Sequence, residues 1–313
     1  MTSYDGVRKS VDGAHAGRKI NHGLPYEDGS GGLLSGALAI DPGAPDVLYL
    51  AAGGLYTSSD GGESWTAAHS GLPENLDARD VLASESSVYA GAFPGLYAST
   101  DRGRTWRGLD IEPAGIRFVT SLAADPRHPE RVYATAFEGL ARSVDAGVTW
   151  TNLTAGSLLD GKPCTSIAVS PLDSSTLYVG TYEGVFRSRD TGTTWQTFSP
   201  GLTGNNIVDL LIEPRNPRIV YAATLFSGVY AIEQSDVAVP ATPTPTNSAG
   251  GCAVTGAPQR SAATPLAGLI LLFFRFCSRT RRCAAVTPAN REATSRLCTQ
   301  RKGWDSVSPL PAN

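Results

Sequence analysis

One short motif, S-x-D-x-G-x-[ST]-W, occurs four times in this chain of 313 residues. Its aspartates are separated by 41, 44 and 45 residues, and the copies hold four of the five tryptophans. Between the copies lie short runs rich in Val, Ile, Tyr and Thr and bounded by Gly and Pro, a pattern typical of β-strands joined by tight turns. A period of about 40–45 residues built from short strands predicts stacked β-sheet blades, here with four strands, A to D, in each unit. The motif residues are Ser58, Asp60, Gly62 and Trp65; Ser99, Asp101, Gly103 and Trp106; Ser143, Asp145, Gly147 and Trp150; and Ser188, Asp190, Gly192 and Trp195.

Each position of this motif has a structural use. An aspartate can accept hydrogen bonds from backbone N–H groups two or three residues further on and so close a turn. The glycine supplies a positive φ, and the Ser or Thr adds a second local hydrogen bond. The tryptophan starts strand D and can bury a large ring between blades. We therefore interpret the motif as a turn-and-packing device rather than as a catalytic site.

The repeat resembles the BNR or Asp-box repeat, which occurs in sialidases, sortilin-type receptors, xyloglucanase-like glycoside hydrolases and the photosystem II assembly and stability factor family. The resemblance rests on four complete motifs and covers about 200 of the 313 residues. It implies an all-β fold, a β-propeller of about five four-stranded blades. In that family the Asp box lies on the rim, away from the ligand site.

Both ends of the repeat region are incomplete. Tyr4–Asp12 parallels Tyr182–Asp190, but the motif then decays, so residues 1–30 are interpreted as a degenerate half-repeat. The last unit has the opposite defect, because residues 207–233 provide strands A, B and C but no D-x-G turn and no Trp. Two interpretations stay open. Either the N-terminal segment supplies the strand that the last unit lacks and closes the last blade, or the chain was cut from a longer propeller and begins inside a blade.

Composition divides the chain after residue 235. Residues 1–235 form the predicted propeller domain, 236–262 a Pro/Thr/Gly linker, 263–283 a short apolar segment with an arginine cluster, and 284–313 a disordered end. The linker, Gly-Gly-Cys, apolar run and arginines together resemble the C-terminal sorting tails of some bacterial surface proteins. This resemblance implies membrane or cell-surface anchoring and an extracellular or cell-surface location. The alternative is a disordered tail with a chance apolar patch, because about ten apolar residues are too few to span a bilayer.

Two features depart from the sorting-tail pattern. About 30 residues follow the arginines, and Met1–Gly13 has no apolar core of the kind that a signal peptide needs. The hypothesis that reconciles these features is a start site further upstream and an end that is read in a shifted frame.

Charge and cysteine content exclude several classes of function. Residues 253–313 carry nine Lys/Arg and two Asp/Glu, and the whole chain has a net charge of −3, so residues 1–252 carry −10. An acidic propeller does not suit nucleic acid, because phosphate binding needs a basic face. The propeller has one cysteine, Cys164, which we interpret as a buried free thiol.

An aromatic residue recurs where strand B passes into strand C. Since strands alternate in direction, the B–C and D–A connections share one face of a propeller and the A–B and C–D connections share the other. The motif turns are C–D turns, so a ligand is expected on the B–C/D–A face. Aromatic rings with nearby carboxylates suit a carbohydrate ligand, whereas the alternative is that the rings fill the space between blades. The candidate ligand-binding residues are Tyr4, Phe93, Phe137, Tyr182 and Phe226.

Glu138 and Glu183 follow two of these aromatics at equivalent positions and are the candidate catalytic carboxylates. Glycoside hydrolysis commonly uses such a pair at about 5–10 Å. The chain has no nucleophile elbow, phosphate-binding loop or metal-ligand spacing, so no cofactor and no metal are expected. The sequence therefore favours a non-catalytic scaffold. The resemblance to the assembly-factor and sortilin-type members implies a protein or peptide ligand, and a glycan is the next choice. The alternative is a sialidase-like or xyloglucanase-like glycoside hydrolase that acts on an extracellular glycan.

Overall fold

The structure is a computed structural model that describes residues 2–3, 6–11, 17–25, 36–199, 202 and 206–234. The chain divides into two compact units, Met1–Cys277 and Ser278–Asn313, and every described residue belongs to the first. The predicted linker, apolar segment and disordered end all lie outside the described residues. No helix in the described ranges is long and apolar enough to cross a membrane.

The described chain is almost entirely β, with one short 3₁₀ helix at Glu112–Ala114, and every strand pair is antiparallel. Six sheets follow one another along the sequence. The N-sheet contains β1 (Thr2–Ser3), β2 (Gly6–Lys9) and β3 (Arg18–Lys19). Sheet 1 contains β4 (Ala37–Asp41), β5 (Ala44–Ala51), β6 (Leu55–Ser58) and β7 (Thr66–Ala67), and sheet 2 contains β8 (Asp77–Ala83), β9 (Val88–Phe93), β10 (Leu96–Ser99) and β11 (Arg107–Leu109). Sheet 3 contains β12 (Val119–Asp125), β13 (His128–Ala136), β14 (Gly139–Ser143) and β15 (Thr151–Asn152). Sheet 4 contains β16 (Cys164–Val169), β17 (Leu177–Thr181), β18 (Gly184–Ser188) and β19 (Gln196–Thr197), and the C-sheet contains β20 (Ile207–Ile212), β21 (Ile219–Thr224) and β22 (Gly228–Glu233).

The four complete sheets each run A-B-C-D in chain order, as expected for propeller blades. The predicted all-β, four-stranded architecture is therefore confirmed. Each short strand D follows one copy of the motif, so the motif does lie between strands C and D.

The first strands of neighbouring sheets pack side by side: β4 on β8, β8 on β12, β12 on β16 and β16 on β20. Side chains near β-bulges tie these strands together. The Thr120 hydroxyl donates to the Cys164 carbonyl at 2.8 Å, and the Thr165 hydroxyl donates to the Ile207 carbonyl at 2.7 Å. These bonds fix the spacing between sheets, which the strand pairing within a sheet cannot do.

The hydrophobic core lies between adjacent sheets. One tyrosine of strand B is buried in each complete sheet, as Tyr49, Tyr89, Tyr133 and Tyr178. Aromatic side chains of this size bury about 150–250 Å² each and dominate core energetics. Burial also raises the pKa of Tyr178 to about 12, so this phenol stays neutral at ordinary pH. The Cys164 thiol is fully buried, and burial raises its pKa to about 12.

The two incomplete ends do not pair in the described part of the chain. The described N-terminal strands pair with one another, and Val7, Ile20 and Leu24 pack against Leu48 and Trp65 of sheet 1. Strand β22 pairs with β21, and no described fourth strand joins it. Val229 of β22 is 55% exposed, whereas the equivalent Val185 of sheet 4 is fully buried in the core that sheet 4 shares with the C-sheet. Closure of the last blade by the N-terminal segment stays a prediction.

Candidate ligand-binding face

The four motif segments, residues 58–65, 99–106, 143–150 and 188–195, are called the aspartate turns below, and they share one hydrogen-bond pattern. In the third turn, the Ser143 hydroxyl donates to Asp145 Oδ1 at 2.7 Å and accepts the N–H groups of Asp145 at 3.3 Å and Gly147 at 2.8 Å. The Asp145 carboxylate then accepts the Thr149 N–H at 2.8 Å and the Thr149 hydroxyl at 2.6 Å. The other three turns repeat every one of these bonds. The Ser, Asp and Ser/Thr side chains of the motif are thus engaged in closing the turn.

Each aspartate turn contains two consecutive residues with positive φ, of which the sequence reveals only the glycine. Gly147 has φ +86°, and the preceding Ala146 has φ +55°. Arg102 and Thr191 occupy the same left-handed position in the second and fourth turns, at φ +60° and +58°. The glycine is also sterically required, because a Cβ on Gly147 would lie 2.9 Å from Leu109 of the preceding sheet.

The motif tryptophans pack into the interfaces between sheets. All four are at most 8% exposed. Trp106 lies in the core shared by sheets 1 and 2, Trp150 in that of sheets 2 and 3, and Trp195 in that of sheets 3 and 4. The arrangement gives the motif a structural role in every copy.

Backbone hydrogen bonds show which connections lie together on each face of the repeat. On one face the aspartate turns bond the A–B connection or the start of strand B of their own sheets. Ala146 N–H donates to the Glu130 carbonyl at 2.8 Å, and Thr191 N–H donates to the Ser175 carbonyl at 2.9 Å. On the other face a B–C turn bonds the D–A connection of the next sheet, as in Gly95 N–H to the Arg117 carbonyl at 3.0 Å. We call the second one the B–C face.

Three phenylalanines form an exposed cluster on the B–C face, called the phenylalanine cluster below. Phe93 and Phe118 stack in parallel, with ring centroids 4.3 Å apart and an interplanar angle of 2°. Phe137 lies against Phe118 at 6.4 Å with the rings tilted by 57°. Phe93, Phe118 and Phe137 are 46%, 39% and 48% exposed. The structure thus brings together two of the five candidate aromatics and adds Phe118, which the repeat pattern did not reveal.

The remaining aromatic candidates are placed differently. Tyr182 and Phe226 are exposed, Phe226 by 86%, and neither makes a ring contact within the described ranges. Tyr4 lies outside the described residues. Phe118 occupies the D–A connection directly before β12, where the equivalent residues are Asp77 and Pro163. Because neighbouring units lack an aromatic there, an alignment of repeats could not single it out.

Each candidate carboxylate contacts the D–A connection of its own sheet. Glu138 Oε2 accepts the N–H groups of Arg117 and Phe118, both at 3.4 Å. Glu183 forms an ion pair with Lys162 at 2.5 Å, and the Lys162 ammonium also lies 6.0 Å from the centroid of the Phe186 ring. No contact between the two carboxylates is recorded, so the described structure gives them local, separate partners.

The backbone beside the cluster is held from two directions. Arg117 donates its N–H to Glu138 of sheet 3 and accepts the Gly95 N–H of sheet 2 through its carbonyl. A second link between these sheets is the Asp80 carboxylate, which accepts the Leu122 N–H at 2.8 Å. Asp77, opposite Phe93 in the strand register, pairs with Arg79. The cluster therefore stands on a backbone that hydrogen bonds hold across the sheet boundary.

Within the described ranges, no group of three or more His, Cys, Asp or Glu side chains could hold a metal ion. The B–C face offers apolar contact on the three rings and ionic or hydrogen-bonding contact with the flanking charged side chains.

Comparisons with known proteins agree with the fold. No family model matches the sequence, and no curated protein matches it. Among solved structures, the GH74 xyloglucanase from Xanthomonas campestris aligns with a TM-score of 0.53 and 19% identity, covering 70% of this chain and 40% of that one. An ancestral GH74 enzyme aligns with a TM-score of 0.50 and 20% identity, covering 66% of this chain and 31% of that one.

The extracellular domain of a hybrid two-component system from B. thetaiotaomicron aligns with a TM-score of 0.51 and 19% identity. That alignment covers 62% of this chain and 26% of the other. The chain thus spans less than half the length of each of these structures. Together they show that its fold is the β-propeller fold.

Proposed function

We propose that this protein is a non-catalytic β-propeller that binds a protein or peptide ligand on its B–C face, outside the cell or at the cell surface. The observation that carries the proposal is the phenylalanine cluster. Three apolar rings that stand partly exposed on a rigid support supply contact area at a small cost in side-chain entropy. Contiguous exposed apolar surface is also uncommon on monomeric soluble proteins unless it binds something.

The composition of the cluster favours a peptide over a glycan. Phenylalanine rings have no hydrogen-bonding group, whereas a sugar presents hydroxyls that need donors and acceptors. The two carboxylates beside the cluster, those of Glu138 and Asp77, already bond Phe118 N–H and Arg79. An apolar peptide side chain needs only the rings.

The same local bonds speak against hydrolysis at Glu138 and Glu183. A retaining or inverting glycosidase needs two carboxyl groups that face one substrate. Here one carboxylate accepts backbone N–H groups and the other pairs with Lys162. The extracellular location is supported by the extracellular domain among the similar structures and by the sequence resemblance of the tail.

The test is a screen of the purified full-length chain against a displayed peptide library, a glycan array and a panel of aryl glycosides. We expect enriched peptides whose binding is lost in Phe118→Ala and weakened in Phe93→Ala. Phe226→Ala is the matched control, because Phe226 is an exposed aromatic of another B–C turn and makes no recorded ring contact. Phe118→Leu keeps apolar volume without the stacked ring and separates loss of the ring from loss of the fold.

Two results would overturn the proposal. Glycan binding that depends on Phe118 while no peptide binds would make the protein a lectin-like module. Turnover of an aryl glycoside that is abolished by Glu138→Gln or Glu183→Gln would make it a glycoside hydrolase.

A further inference from the structure

Arg117 is a cation in the D–A connection that also carries Phe118 of the phenylalanine cluster. The residue directly precedes Phe118, and both its backbone N–H and its carbonyl are hydrogen bonded. Its side chain is exposed, and within the described ranges the guanidinium has no recorded hydrogen bond or ion pair. A fixed backbone therefore carries a guanidinium whose donors are available to a ligand.

The equivalent position in sheet 4 shows a different arrangement. Lys162 lies two residues before β16, as Arg117 lies two residues before β12. Lys162 is neutralised by Glu183 at 2.5 Å. In sheet 3 the corresponding acid, Glu138, instead accepts the backbone N–H groups of Arg117 and Phe118. The acid that could neutralise the basic side chain is thus used by the backbone.

The other charged groups around the cluster also have partners. Arg79 is paired with Asp77, so this pair adds no net charge at the cluster. The negative charge of Glu138 is stabilised by two N–H dipoles. Glu138 stays charged, but its carboxylate already accepts these N–H groups; among the described charged side chains named here, Arg117 is the one whose donors are left for a ligand.

We propose that the cluster recognises a peptide segment in which a carboxylate lies next to an apolar side chain. The apolar side chain packs on Phe93, Phe118 and Phe137, and the carboxylate pairs with Arg117. A guanidinium offers two parallel N–H donors to a carboxylate, so the pair fixes the orientation of the segment as well as adding affinity. This inference rests on the proposed function. It specifies in addition that the peptide ligand is negatively charged at this position.

The carboxylate can come from an Asp or Glu side chain or from a peptide C-terminus. The test therefore uses four twelve-residue peptides that differ only around one phenylalanine. Three carry Asp, Asn or Lys beside an internal Phe, and the fourth ends in Phe with a free carboxylate. Affinities are measured by fluorescence anisotropy with the full-length protein.

We expect the Asp peptide or the C-terminal peptide to bind about tenfold more tightly than the Asn peptide, corresponding to about 1.4 kcal/mol, with the Lys peptide weakest. Arg117→Glu should reverse the order, so that the Lys peptide binds best. Arg104→Glu is the matched control, since Arg104 is an exposed arginine of an aspartate turn on the other face. That variant should preserve the order.

Failures of the two proposals are distinguishable. Equal binding of all four peptides that is lost in Phe118→Ala would overturn the role of Arg117 and leave the peptide-binding face standing. Binding of none of the peptides, together with binding of an acidic oligosaccharide such as oligogalacturonate that Arg117→Glu abolishes, would overturn the peptide ligand itself.

Discussion

The rings of Phe93 and Phe118 lie parallel and 4.3 Å apart although they belong to neighbouring sheets. Phe93 ends strand β9 of sheet 2, and Phe118 directly precedes strand β12 of sheet 3. The Gly95 N–H and the Arg117 carbonyl, which flank these two residues, are hydrogen bonded at 3.0 Å. A ligand that covers both rings would therefore also bridge the boundary between two sheets.

This stacking predicts a measurable coupling between the two rings. In a double-mutant cycle with Phe93→Leu and Phe118→Leu, we expect a coupling energy of about 0.5–1.5 kcal/mol in the free energy of unfolding, because aromatic pairs contribute that much beyond their buried area. The measurement is urea denaturation of the single and double variants. A cycle of Phe93→Leu with Phe226→Leu serves as the control and should show no coupling. Additive effects in the first cycle would mean that the rings do not stack in solution.

The serine of an aspartate turn should matter more for stability than its size suggests. Ser143→Ala removes the acceptor of two N–H groups and leaves the buried Gly147 N–H without a partner. We expect a loss of about 1–3 kcal/mol, which is typical when a buried donor loses its acceptor. Val144→Ala, an exposed change at the next residue, should alter the free energy of unfolding by less than about 0.5 kcal/mol. Equal effects of the two changes would contradict the recorded bonds.

Substitutions at the two left-handed residues of the third aspartate turn should change the stability of the protein in opposite directions. Gly147→Ala should destabilise the protein by more than about 1 kcal/mol, because it adds both a positive-φ penalty and a contact at 2.9 Å with Leu109. Ala146→Gly should be neutral or stabilising by up to about 1 kcal/mol, because it relieves the positive φ of a non-glycine residue. The stability changes of both variants are measured from the midpoint of thermal or urea unfolding. A stable Gly147→Ala variant would show that the turn can adopt another backbone conformation.

Stability should depend on pH through the aspartate turns. Hydrogen bonds from the Thr105 and Ser99 side chains and the Thr105 N–H lower the pKa of Asp101 to about 2. Equivalent bonds lower the pKa of Asp145 to about 2. A carboxylate whose pKa is lower in the folded than in the unfolded state stabilises the fold above the unfolded pKa of about 3.9, and this contribution is lost as the pH falls toward the folded value.

We therefore expect the free energy of unfolding to fall as the pH is lowered from about 5 to about 2. Asp145→Asn should reduce the steepness of this fall, because it removes one proton-binding group. Val144→Ala, an exposed change in the same turn that removes no ionisable group, should leave the steepness unchanged. Urea denaturation at a series of pH values provides the measurement. Identical slopes for the wild type and Asp145→Asn would contradict a stabilising role for this carboxylate.

The order of the sheets and the position of the motif could be predicted from the sequence because both depend on local chemistry. The S-x-D-x-G-x-[ST]-W pattern carries its own hydrogen-bond partners within eight residues, so Ser143 and Asp145 close the same turn wherever the motif occurs. The spacing of the motifs then indicates the number of strands in each unit.

The candidate site depended on the tertiary structure, because its parts come from different sheets. Phe93 and Phe137 could be picked out as a repeated position, but Phe118 has no aromatic counterpart in the neighbouring units. The pairing of Glu183 with Lys162, and of Glu138 with backbone N–H groups, depends on how each D–A connection crosses its sheet. The sequence by itself determined the blades and their turns through interactions within one repeat. Only the tertiary structure decided which side chains meet on the B–C face, since those contacts depend on packing between residues of different connections and sheets.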